Sequence, residues 1–125
     1  MHRHKNVEEL VFDVHLNTFA EAVLAASESR PVLVDFWADW CAPCHAIAPT
    51  LLRVVQDQAG RVVLAKLEVD EGENMKLAGH YQVRGFPTVI LFINGEERAR
   101  FSSAKPRQFI ERFLDEHLGT GNGAE

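Results

Sequence analysis

The only two thiols in 125 residues stand three apart, in Trp40-Cys41-Ala42-Pro43-Cys44. The run just upstream, Val32-Leu33-Val34-Asp35-Phe36-Trp37, is apolar but for one carboxylate and reads as a buried strand. A strand feeding a helix that opens with C-x-x-C is a site for dithiol–disulfide exchange, because the helix N-terminus favours the thiolate that attacks. In a first helical turn the two side chains share a face, so their sulfurs can meet. The loop that a Cys41–Cys44 bond closes is too short to stabilise the chain much, which makes the pair a reagent rather than a staple. Cys41, at the helix entrance, is the expected nucleophile, and Cys44, one turn in, is placed to resolve a mixed disulfide. Zinc is the competing use of C-x-x-C. It needs two further ligands, and there is neither a second C-x-x-C nor a histidine pair at zinc spacing, so no metal and no cofactor are expected.

Asp35 is the second unusual residue. Between Val34 and Phe36 in a doubly covered strand, a carboxylate is costly unless neutral or paired. Burial raises its pKa toward neutrality, where it can accept the proton of Cys44, directly or through a water. An aspartate at a strand edge, facing water, is the alternative. Lys66, in Val63-Leu64-Ala65-Lys66-Leu67, is able to pair with Asp35 from a neighbouring strand or to reach out to solvent. Trp40, Ala42, Pro43, Phe86 and Pro87 make an apolar rim around Cys41, and the free backbone edge beside Pro87 suits an extended substrate that adds by β-pairing. Core packing is the other use of Trp40 and Phe86, although Trp37 is already available for the core. His45 either tunes the dithiol or faces solvent; His2 and His4 belong to a flexible basic N-terminus, with adventitious metal binding as the alternative, and His15, His80 and His117 read as surface or turn residues.

The elements that must hold these residues follow from pattern. Val11–Val14 is a short strand. Asn17 is placed to cap a helix carrying Phe19, Ala22, Val23 and Ala26 on one face. After strand 32–37, a helix from about Cys41 runs through Ile47, Leu51 and Val54 to Gly60, with Pro49 inside it. Val62–Val69 is a strand, Asn74 is placed to cap a helix Met75–His80, and Thr88–Ile93 is a strand. Asn94-Gly95 signals a hairpin into a polar strand near Glu97–Phe101. Pro106 suits the first turn of a last amphipathic helix ending at Leu118. The order implies an α/β fold, a mixed sheet of four to five strands with helices on both faces.

A charge of −5 argues against nucleic acid and anionic membranes as partners, and no apolar stretch is long enough to span a bilayer. The basic stretch Met1–Asn6 is followed by Val7-Glu8-Glu9-Leu10 rather than by a signal-peptide core, so a cytoplasmic protein is expected, and a monomer. The domain organisation expected is an N-terminal extension over 1–10, one domain over 11–118, and a disordered tail over 119–125.

Taken together, Val34-Asp35-Phe36-Trp37-Ala38, the Trp40–Cys44 motif, Ile47-Ala48-Pro49, Ala65-Lys66-Leu67 with Val69-Asp70, Arg84-Gly85-Phe86-Pro87-Thr88 and Phe92-Ile93-Asn94-Gly95 resemble the thioredoxin family, in family order from about Val11 to Leu118. The resemblance implies the thioredoxin fold, a Cys41–Cys44 redox disulfide, reduction of protein disulfides, and an NADPH-linked thioredoxin reductase as electron donor. It implies that Asp35 serves Cys44, that Lys66 pairs with Asp35, and that the bond before Pro87 is cis and packs against the dithiol. Four features depart from the family: Ala42 stands for glycine, His45 replaces a basic or polar residue, two extra residues lie between Asp70 and Arg84, and Ser102 or Ser103 occupies a rim position that the family gives to glycine. A thioredoxin-fold chaperone or binding module using the Trp40/Phe86 surface is the alternative function, as is a dithiol oxidant or isomerase.

Overall fold

The computed structural model describes residues 10–119. Five strands form one sheet in the order β1-β3-β2-β4-β5: β1 Val11–Asp13, β2 Val32–Trp37, β3 Val63–Glu68, β4 Thr88–Ile93 and β5 Glu96–Ser102. β1 and β2 run parallel to β3, and β4 runs antiparallel to both β2 and β5. The sheet is therefore mixed, with β2 and β3 inside it. Their side chains point alternately to opposite faces, yet Val32–Phe36 and Val63–Ala65 are buried throughout, so both faces are covered. With flanking helices on each side, this is the α/β thioredoxin fold.

The covering elements are α1 (residues 16–28), α2 Ala42–Asp57, α3 Met75–His80 and α4 Arg107–Leu118. On one face, Phe19 of α1 and Tyr81 after α3 meet Phe92 of β4, with ring centroids 5.7 and 5.3 Å away. On the other, Phe101 of β5 packs against Phe109 and Phe113 of α4. Phe101 pairs with Val89, three residues from Phe92, so the two aromatic clusters lie on opposite faces.

Four local expectations are corrected. Asn17 is not a cap: α1 starts in a 3-10 turn behind His15, whose N–H donates to Thr18 Oγ1 at 3.0 Å. α1 is also not a regular α-helix, since Ala20–Ala25 is π-wound and Ala26–Glu28 is again 3-10. Asn74 precedes α3 but does not cap it with its side chain, which is engaged with α1 and β3 instead. α2 ends at Asp57 rather than Gly60, because Ala59 and Gly60 both adopt positive φ. The hairpin is where the dipeptide put it, with positive φ at Asn94 and Gly95 as a type I′ turn demands. The extension assigned to 1–10 and the tail assigned to 119–125 lie outside the described residues, except for Leu10, which is buried, and Gly119, whose N–H donates to Asp115 O. Among the described residues, no helix is long and apolar enough to cross a membrane.

Candidate active site

The dithiol sits at the carboxyl end of β2, where the chain turns from sheet into helix. Cys41 keeps an extended backbone and is the N-cap of α2 rather than a member of its first turn. Its Sγ accepts the N–H of Cys44 at 3.2 Å, while its carbonyl accepts the N–H groups of Cys44 and His45. Pro43 falls in the first turn, where its missing donor costs nothing. Cys41 and Cys44 are joined as a disulfide, and both are buried. A sulfur that caps a helix lies against its unpaired donors and the positive end of its dipole, an arrangement that stabilises a thiolate once the bond opens.

Asp35 lies in the middle of β2 with no solvent exposure. Register places it opposite Lys66 of β3 and Val89 of β4. Since Val89 and Phe101 share the face that α4 covers, and α2 packs against α4, Asp35 points to the layer that carries the dithiol. Burial pushes its carboxyl up to about 6, and the charge of Lys66 pulls the other way without overcoming that penalty. Lys66 Nζ approaches Asp35 Oδ2 at 3.5 Å. Among the described residues neither carboxylate oxygen has a hydrogen-bond partner, so this is an ion-pair approach and not a hydrogen bond. The lysine stem crosses Trp37, with Nζ 5.2 Å from the ring centroid.

The rim residues divide. Trp40 is 67% exposed and stands edge-on to Phe86 at 6.0 Å. Ala42 and Pro43 are exposed, Phe86 is half-buried and Pro87 is buried behind a cis Phe86–Pro87 bond. His45 is exposed, its ring against Trp37 and its Nε2 2.7 Å from the Asp39 carbonyl oxygen. Ser103, not Ser102, holds the left-handed backbone at this rim, with φ +75 and its N–H on Pro87 O. Among the described residues, no three His, Cys, Asp or Glu side chains gather as a metal-ligand set.

Sequence reasoning missed one participant. Asp70 Oδ2 accepts the Trp40 indole N–H at 2.7 Å. A tryptophan N–H seeks an acceptor, and β2 and β3, being parallel, end on the same edge of the sheet. Residues just past each strand therefore meet, a signal readable once the pairing is known.

The thioredoxin family model matches residues 10–116. The chain is 39% identical over 90 residues to a thioredoxin of Chlorobaculum thiosulfatiphilum, covering 72% of this chain and 82% of that one. It is 38% identical over 112 residues to a thioredoxin of Pseudomonas aeruginosa, covering 90% of this chain and all of that one. To the chloroplastic M-type thioredoxin of Zea mays it is 37% identical over 90 residues, 72% of this chain and 53% of the relative. With the C-x-x-C disulfide at the head of a helix that follows the central strand, these similarities show that the chain belongs to the thioredoxin family, and that it is a thiol–disulfide oxidoreductase acting on protein disulfides.

Proposed function

We propose the following division of labour within that activity. The Cys41 thiolate attacks one sulfur of a substrate disulfide, forming a mixed disulfide and releasing the first substrate thiolate. Cys44 loses its proton to Asp35 and attacks Cys41 Sγ, which releases the second substrate thiolate and closes the Cys41–Cys44 bond. Two electrons pass from the dithiol to the substrate. A further dithiol donor, of the NADPH-linked thioredoxin reductase kind, returns them and restores both thiols. Lys66 restrains the Asp35 charge, and Trp40, Ala42, Pro43, Phe86 and Pro87 form the surface against which the substrate lies.

The observation that carries this reading is the capping geometry of Cys41: the sulfur already accepts a helix N–H within bonding reach of its partner thiol. The chaperone reading gives no reason for a buried carboxyl to point into the layer that carries the two sulfurs. A location in the reducing cytoplasm and a monomeric state complete the proposal. The monomer is supported by blunted sheet edges, since β1 has only three residues and β5 carries exposed Glu96, Glu97 and Arg98. Insulin reduction under a dithiol donor tests the core of it. Wild type should turn over, Cys41→Ser should be inactive, and Cys44→Ser should accumulate a mixed disulfide with substrate. Turnover by Cys41→Ser would overturn the assignment.

A further inference from the structure

Resting on that reading of the site, we propose that Asn74 is a positioning residue for protein substrates: it fixes the loop after β3 so that Asp70 can hold the Trp40 indole beside Cys41. Asn74 is only 1% exposed, and both ends of its amide are used. Oδ1 accepts the Leu16 N–H at 2.8 Å, and Nδ2 donates to Glu68 O at 2.9 Å. Its own N–H donates to Glu71 O at 3.0 Å, and the Glu71 N–H to Glu68 O at 3.2 Å. One buried side chain thus ties the start of α1, the end of β3 and the start of α3 together, and residues 68–74 are laced between those ties.

Asp70 lies inside that laced segment. Its 2.7 Å bond to the indole has the length of a charge-assisted hydrogen bond. Both partners face solvent, where such a bond gains little once the ordering of two free side chains is counted. It holds its geometry only if the carboxylate is already fixed, and the buried anchor at Asn74 does this. Trp40 then presents one orientation, edge-on to Phe86, before the substrate arrives. Binding costs less when the contact surface is ordered beforehand. Asn74 touches neither the sulfurs nor the substrate; it acts through Asp70 and Trp40.

Two measurements on Asn74→Ala test this. The Trp40 indole N–H should exchange with solvent faster than in wild type, read by NMR on the oxidised protein. KM for a protein disulfide should rise about tenfold, the effect of having to order one large side chain on binding, with kcat falling much less and with a small aromatic disulfide far less affected. In a Trp40→Phe background, which lacks the indole donor, the Asn74 change should add nothing further. Equal losses on both substrates, an unchanged indole exchange rate, or a full effect in the Trp40→Phe background would each overturn the proposal. Should Asn74→Ala not fold, Asn74→Asp keeps the acceptor for Leu16 N–H next to His15, whose Nδ1 is 3.5 Å from the amide nitrogen, and the same split and exchange are read there. A wild type unable to reduce the protein disulfide would count against the site reading alone, since the exchange measurement judges Asn74 independently of turnover.

Discussion

Asp35 carries a pH-dependent cost that follows from its burial. Its carboxyl titrates near 6 in the folded chain and near 3.8 when free. A folded pKa raised in this way means that the native state holds the proton more tightly. The stability this lends is fully present below the unfolded value and lost as pH rises through the folded one. At neutral pH the charged form therefore costs about 3 kcal/mol. Asp35→Asn should raise unfolding free energy by up to that amount above pH 6 and by almost nothing below pH 4, as measured by urea titrations across that range. The same substitution should slow resolution of the mixed disulfide by about 10²-fold, the usual share of a general base, seen in single-turnover kinetics. A gain equal at all pH values would show that Asp35 is not the titrating group. Its burial was legible because Val34 and Phe36 leave no reason for a solvent-facing strand. The approach of Lys66 was left open by local pattern and supplied by the family resemblance, because it depends on the β2–β3 register, which places the two residues opposite each other.

Among the elements, the ends of β4 and β5 are held in contrasting ways. At the hairpin, Ser27 of α1 is 2% exposed; its Oγ accepts the Gly95 N–H at 2.7 Å and donates to Leu24 O. Ser27→Ala leaves a buried donor unpaired and should cost about 1–3 kcal/mol in chemical denaturation. At the other end, Ser103 has φ +75 although it bears a side chain. That conformation costs roughly 1–2 kcal/mol in a non-glycine residue, and strain of this kind gathers at functional rims. Ser103→Gly should stabilise the fold by about 1 kcal/mol and widen the range of protein disulfides accepted, scored as relative rates over a substrate panel. Uniform rates would mean that the rim is neutral there. The helix and strand positions were legible from periodicity and turn chemistry. α1 was the exception: small residues such as Ala20, Ala22, Ala25 and Ala26 give its helical pattern little to decide between α, π and 3-10 winding. The buried amide of Asn74 misled for a related reason, since a residue suited to a cap is equally suited to any orphaned N–H nearby.

For the whole molecule, the sheet order rests on long-range pairing that element order alone leaves open. A β4 strand antiparallel to β2, and far from it in sequence, was supplied by family resemblance rather than by local signals. Its packing makes a prediction about stability. Phe92 is fully buried and joins α1, β4 and the residue following α3 through the rings of Phe19 and Tyr81. Phe92→Ala should cost about 3–5 kcal/mol, with an unchanged denaturant slope if the fold stays intact. The edges predict behaviour in solution: short β1 and charged β5 should leave a single species of 14.1 kDa in sedimentation equilibrium. A concentration-dependent dimer would show that one of those edges is recruited.

That a sulfur terminates α2 has a practical corollary. Serine is among the preferred residues at a helix N-cap, and its hydroxyl can accept the Cys44 N–H where Cys41 Sγ now does. Cys41→Ser therefore separates architecture from chemistry. The helix start is kept, the attacking sulfur is withdrawn, and Cys44 is left as a lone thiol. An inactive Cys41→Ser protein with wild-type circular dichroism is then a nearly isosteric blank for assays on this chain, fit for weighing surface recognition apart from electron transfer.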